Sequence, residues 1–163
     1  MDKDYYTCDL ISDILNKEKS SILYKELTEK LGLTNQISAY ITGSLDQGLL
    51  IISGKLNENV SLNKFEQEFW KVIDIIKRTK VSEFELTSLK NKIITAKAFQ
   101  EESILNRAMN LCFSELLGDP NLVNEELSQY DQINPHSIYE QMNLTLTPNN
   151  CSVLFVKSNS NGK

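Results

Sequence analysis

The sequence predicts an α+β fold: a small antiparallel sheet with several helices packed on it. Three observations predict it. Apolar residues recur at helical spacing before residue 32, alternate strictly from about residue 36, and return to helical spacing from Ser61. Turn and breaker residues sit where the period changes, as in "GSLDQG" and "GDP". The last apolar run, "CSVLFVK", is rich in β-formers. At 163 residues the chain is long enough for one domain with its own core. Residues 1–157 read as that domain, and the polar end "SNSNGK", residues 158–163, as a disordered tail.

The elements follow in order. Tyr6, Leu10, Ile11, Ile14 and Leu15 form the stripe of a first helix. Ser20 or Ser21 can cap a second helical stretch, with Leu23, Tyr24, Leu27 and Leu31 on one face. Gly32 ends it, because glycine enters the left-handed region at little cost. In "QISAYITG", residues 36–43, Ile37, Ala39 and Ile41 point one way, and Ser38, Tyr40 and Thr42 the other. "LLIISGKL" returns as the partner of a hairpin.

From Ser61, Leu62, Phe65, Phe69, Val72, Ile73 and Ile76 mark a long helix, with Trp70 at the edge of its stripe. Ser82 and Glu85 fit a capping box for the next helix, which turns Leu86, Leu89, Ile93 and Ala96 inward. Leu105, Met109, Cys112, Phe113 and Leu116 give another apolar stripe. A shorter helix covers "NLVNEELSQYDQI", and Asn134 and Pro135 open one more at N-cap and N1. "CSVLFVK" is then a third strand. Three strands are few for so many helices. A sheet this thin leaves an open edge, which predicts strands supplied from elsewhere or pairing between chains.

Net charge is −5, with lysines interleaved among acids, so no basic stripe invites nucleic acid. No apolar run approaches the roughly 20 residues of a membrane helix. The polar, acidic start "MDKDYYTCDL" is no secretory signal, and the expected compartment is the cytoplasm. Cys8, Cys112 and Cys151 are widely spaced among apolar residues. They read as small buried hydrophobes in a reducing compartment, not as zinc ligands.

Little chemistry is visible in the spacing. His136 is the sole histidine and falls in a first helical turn, so a His-rich metal site is excluded. The pairs Glu101–Glu102 and Glu125–Glu126 are adjacent on helices, where side chains point about 100° apart and do not converge. Ser20 and Ser21 sit at a helix start without a GxSxG elbow, and no phosphate-binding glycine loop is present. From the residues alone, this is an α+β domain without a self-contained active site.

A resemblance adds to that reading. The run "SSILYKELTEKLGLTNQI" followed by "LDQGLLIISG" resembles the C-terminal half of the pitrilysin/insulinase family of zinc metallopeptidases, which includes the mitochondrial processing peptidases. That family shows a pattern close to SSxLYxELREKxGLxYxV and then a hairpin. "VSEFELTSLKNKI" and "INPHSIYEQMNLTLTPNNCSVLFV" are similar to its later helices, closing turn and last strand. The similarity spans nearly the whole chain and rests on order and spacing.

The resemblance implies a half-domain lacking its first strands, a fragment of a longer two-half parent. In such a parent the N-terminal half carries HxxEH and a distal glutamate around zinc. The C-terminal half helps to enclose an unfolded peptide. This chain has no HxxEH, so it is expected to be inactive alone and to hold no cofactor, with zinc implied for the other half. Its implied partners are that half or a partner subunit, an unfolded peptide, and a second copy through the exposed sheet edge. Active members place an arginine and a tyrosine, seven residues apart, near the developing oxyanion. Those positions fall on Thr28 and Asn35, and the arginine after the paired serines falls on Ile22. Thr28 cannot supply a charge, and Asn35 offers a shorter donor. The two residues either face substrate in these altered forms or only fill a helix surface and a loop. The matching rival for the chain as a whole is a peptide-binding or assembly domain of an inactive parent.

Overall fold

A computed structural model describes residues 3–16, 21–43 and 48–157. Among them, helix α1 (Lys3–Leu15) and a π-helical segment (Tyr24–Lys30) precede an antiparallel pair, β1 (Thr34–Ile41) and β2 (Leu50–Leu56). Five helices follow: α2 (Leu62–Arg78), α3 (Glu83–Glu101), α4 (Ile104–Leu116), α5 (Leu122–Asp131) and α6 (Pro135–Thr145). The α+β class is as the sequence predicts. The hairpin tip around Asp46, the alternative cap Ser20 and the tail 158–163 lie outside the described residues.

The core forms where α1 packs against α6 and β1. Leu10, Ile11, Leu23, Leu27 and Ile73 are fully buried there. Each such side chain contributes roughly 1.5–3 kcal/mol by leaving water. Val72 and Ile76 of α2, Leu86 and Leu89 of α3, and Ile138 and Met142 of α6 complete it. Phe65, Phe69 and Trp70 pack at its rim.

Local signals explain several boundaries. The Ser21 hydroxyl accepts from the Tyr24 amide at 3.0 Å and caps the second helical stretch. Gly32 adopts φ +59° where that stretch stops. Ser82 and Glu85 make the full capping box of α3, and Asn134 and Pro135 open α6.

Four expectations need correction. The stretch after Ser21 widens from α to π geometry: the Leu31 amide donates to the Glu26 carbonyl, five residues back. The wider turn rotates Leu31 off the apolar stripe, and it is 44% exposed. Second, residues 151–157 are not a strand. They join neither edge of the β1–β2 pair, because β-propensity makes no ladder without a neighbour. Third, the apolar stripe of α4 is uncovered among the described residues, with Leu105, Met109 and Leu116 exposed and Ser114 its only buried side chain. Ile93 packs against the core as expected, but Ala96, one turn further along α3, is exposed. Fourth, the cysteines are not buried. Cys8 is half-buried, and Cys112 and Cys151 are exposed, since they sit on the uncovered stripe and the unpaired run.

Candidate functional site

Thr28 and Asn35 come from two elements that meet at the start of the sheet. Thr28 lies in the π-helical segment and Asn35 in β1. The hinge between them is a β-bulge. Thr34 pairs with Leu56 and Gln36 with Lys55, so Asn35 is the extra residue without an opposite number. The bulge reverses the alternation of β1. Beyond it, Ile37 and Ala39 face the core opposite Gly54 and Ile52, and Ile41 pairs with Leu50. Before it, Thr34 is the residue turned inward, only 1% exposed.

Thr34 is the site residue that sequence reasoning missed. Its hydroxyl is 2.8 Å from that of Thr28, which links the π-helical segment to the sheet. Asn57 adds a second tie by donating from Nδ2 to the Gly32 carbonyl at 2.8 Å. The bulge leaves Asn35 exposed. Thr28 thus spends its hydroxyl on an internal bond, while Asn35 presents a neutral amide to solvent. Neither supplies positive charge. Ile22 is packed against the core.

The other polar cluster lies between α1, α3 and α5. Tyr130 donates to Asp9 Oδ2 at 2.7 Å, and Lys97 pairs with Glu126. Tyr5, Tyr6 and Tyr130 stack edge to face beside them. Burial raises the Asp9 carboxyl above its usual range, against the lowering effect of the Tyr130 bond. Burial and the nearby Asp9 charge push Tyr130 up in the same way. These groups line a cavity of about 310 Å³. The acids there are tied to internal partners, so the cluster is a structural brace between helices.

No three His, Cys, Asp or Glu side chains converge on a metal-sized point among the described residues. His136 is exposed on α6, with Nε2 3.3 Å from Glu140. Of the adjacent glutamates, Glu126 meets Lys97, while Glu125 accepts from Asn121. No helix among the described residues is long and apolar enough to cross a membrane.

Comparison with known proteins places this geometry. The family model described as peptidase M16 inactive domain matches residues 1–93. Solved structures share the fold. The inactive peptidase domain of a zinc-protease candidate from Bordetella parapertussis is 19% identical with a TM-score of 0.82, over 91% of this chain and 81% of that one. A Helicobacter pylori protease is 22% identical with a TM-score of 0.75, over 88% of this chain and 34% of its own. A peptidase M16 inactive domain from Pseudomonas fluorescens is 19% identical with a TM-score of 0.65, also over 34% of its own length. The chain therefore spans about a third of the two longer proteins. No curated protein matches the sequence.

Proposed function

The chain belongs to the peptidase M16 inactive-domain family, and on that premise we propose that it is the substrate-enclosing half of a two-half zinc peptidase. As an inactive domain it is non-catalytic. In the proposed assembly it packs against a zinc-bearing half and closes a chamber around an unfolded peptide. The zinc and the general base for water belong to that other half. The cytoplasm is the compartment we propose, supported by the three free thiols.

The observation that carries this reading is the match over residues 1–93, which holds α1, the hairpin and the bulge together. Within the chamber, Thr28 and Asn35 are the substrate-facing candidates. The exposed Asn35 amide can donate to a peptide carbonyl. The Thr28 hydroxyl can do so only by giving up or sharing Thr34. Both are neutral, so their support for a developing oxyanion is weaker than that of a cation. Among the described residues the sheet has two strands and no third on either edge, which supports a second partner, another copy of the chain.

The test is reconstitution. The chain alone is expected to hold no stoichiometric zinc by elemental analysis and to leave an unfolded peptide intact. Chelator-sensitive cleavage is expected only when an HxxEH-bearing half from the same parent is added. Zinc-dependent cleavage by the chain alone would overturn the reading, and so would an HxxEH half whose activity the chain leaves unchanged.

A further inference from the structure

The brace between α1, α3 and α5 leaves part of its own cavity unspent. The residues lining that space of about 310 Å³ lie on α1, α3, α4 and α5, with Leu117 just past α4, and none lies on the sheet. Tyr130 gives its hydroxyl to Asp9, and Lys97 its ammonium to Glu126. Two other hydroxyls in the wall have no such partner. Tyr6 and Ser114 are each only 7% exposed, and neither side chain makes a hydrogen bond among the described residues. Burying an unpaired hydroxyl is unfavourable. No buried side-chain oxygen among the described residues is both fully sealed and unpaired. Both hydroxyls therefore keep an open side, and the cavity is the space they share. The half-buried amides of Asn110 and Gln129 line it too, also without side-chain hydrogen bonds among the described residues.

These unspent groups have one ability in common. Each offers an acceptor: two hydroxyl oxygens and two amide carbonyls. Three carboxylates stand around them, Asp9, Glu125 and Glu126, against the single ammonium of Lys97. The potential there is negative, and the tyrosines register it. After burial, the charges of Asp9 and Glu126 raise Tyr5 and Tyr130, and that of Glu126 raises Tyr6. The rings of Tyr5, Tyr6 and Tyr130 are set edge to face, with successive centres 5.4 and 5.0 Å apart. Aromatic faces attract cations, most strongly where water is excluded. Phe113, Leu117 and Val123 add apolar wall. Water could meet the hydrogen bonds, but it brings neither positive charge nor apolar surface.

We propose that this cavity binds a small primary alkylammonium ion, its nitrogen held by the Tyr6 and Ser114 hydroxyl oxygens and its chain laid along Phe113, Leu117 and Val123. The three N–H groups of an ammonium match acceptors that otherwise lack donors. The volume suits a short amine, being at the lower end for ligand pockets. An anion would gain little, because Lys97 is already paired and the surrounding carboxylates repel it. A free amine and the side chain of a lysine carry the same chemistry. The site stands apart from the proposed peptide chamber, since neither Thr28 nor Asn35 lines it.

The test titrates residues 1–163 with three compounds of one tail, n-hexylammonium, hexanol and hexanoate, and follows backbone amides by NMR. Hexylammonium is expected to shift amides of α1, α4 and α5 saturably and to bind about tenfold more tightly than hexanol, with no saturable binding of hexanoate. Tyr6→Phe and Ser114→Ala each remove a hydroxyl that holds no internal bond. Each should keep the wild-type melting temperature while weakening hexylammonium about tenfold, the loss of one charged hydrogen bond. N-acetyl-lysine methylamide separates the two sources. The same shifts with this compound support the side chain of a peptide, and hexylammonium binding without them supports a free amine. Equal affinity for the amine and the alcohol overturns the proposal, and so does the absence of saturable binding at these amides. Unchanged amine affinity in both folded variants overturns it as well.

Discussion

At the scale of single residues, the junction of helix and sheet turns on one hydroxyl pair. Thr34 is buried against Thr28, so replacing it with valine keeps the shape and leaves the Thr28 hydroxyl without its partner. Thr34→Val is expected to cost about 1 kcal/mol in urea unfolding. Thr28→Val should cost about the same, and the double variant less than the sum, because one bond is removed in each case. The position of Thr28 was legible only through the family resemblance. The role of Thr34 was not, because strict alternation along β1 would put it with Gln36 and Ser38 on the outer face. Only the bulge at Asn35 turns it inward, and no residue in "GLTNQI" announces a bulge. The exposed Asn35 permits a direct test of substrate contact. Installing Thr28→Arg together with Asn35→Tyr adds a cation and a phenol to the proposed chamber wall. Affinity for an unfolded peptide, read by fluorescence anisotropy, should rise by about tenfold, or ~1.4 kcal/mol. Unchanged affinity in a folded double variant would show that these positions do not face the peptide.

At the scale of elements, caps were legible and coverage was not. "SEFE" specifies its own helix start, since Ser82 and Glu85 satisfy each other's backbone without help from the rest of the chain. Ser82→Ala should accordingly lose about 1 kcal/mol of stability in thermal or urea unfolding. The stripe of α4 is equally plain in sequence, but periodicity tells which face is apolar and not whether anything lies against it. The final run fails for a related reason, because a strand is a property of two segments. Pairing between α1 and α5 adds a pH dependence. Asp9 is raised by burial, so the folded state holds its proton to higher pH than the unfolded state does. Its contribution to stability is full below the ordinary aspartate range and declines as pH rises through the raised value. Asp9→Asn lacks that decline while its carbonyl can still accept from Tyr130. Between about pH 4 and pH 7, where an ordinary aspartate has already lost its proton, thermal melts of the variant should fall less, or rise more, than those of wild type. Parallel curves would remove Asp9 from the account.

At the scale of the whole molecule, stability is unevenly spread, and the distribution follows from which faces are covered. Leu10, Ile11 and Leu15 of α1 are buried, and α1 packs against both α6 and β1. It cannot open without exposing most of the core. Helix α4 buries only Ser114 and leaves Leu105, Met109 and Leu116 in solvent, so its opening exposes little further apolar surface. Local unfolding free energy tracks that difference, ranging from near zero at uncovered elements to the global value at the core. Amide hydrogen exchange should therefore find α1 and α6 most protected and α4 exchanging at least an order of magnitude faster, since each ~1.4 kcal/mol of opening energy is a factor of ten. The same measurement probes the proposed assembly. Adding the zinc-bearing half should slow exchange wherever it covers the domain, and a gain confined to α4 would identify its apolar stripe as the face that docks. If α4 is already as protected as α1 in the isolated chain, the uneven distribution of stability argued from burial is wrong.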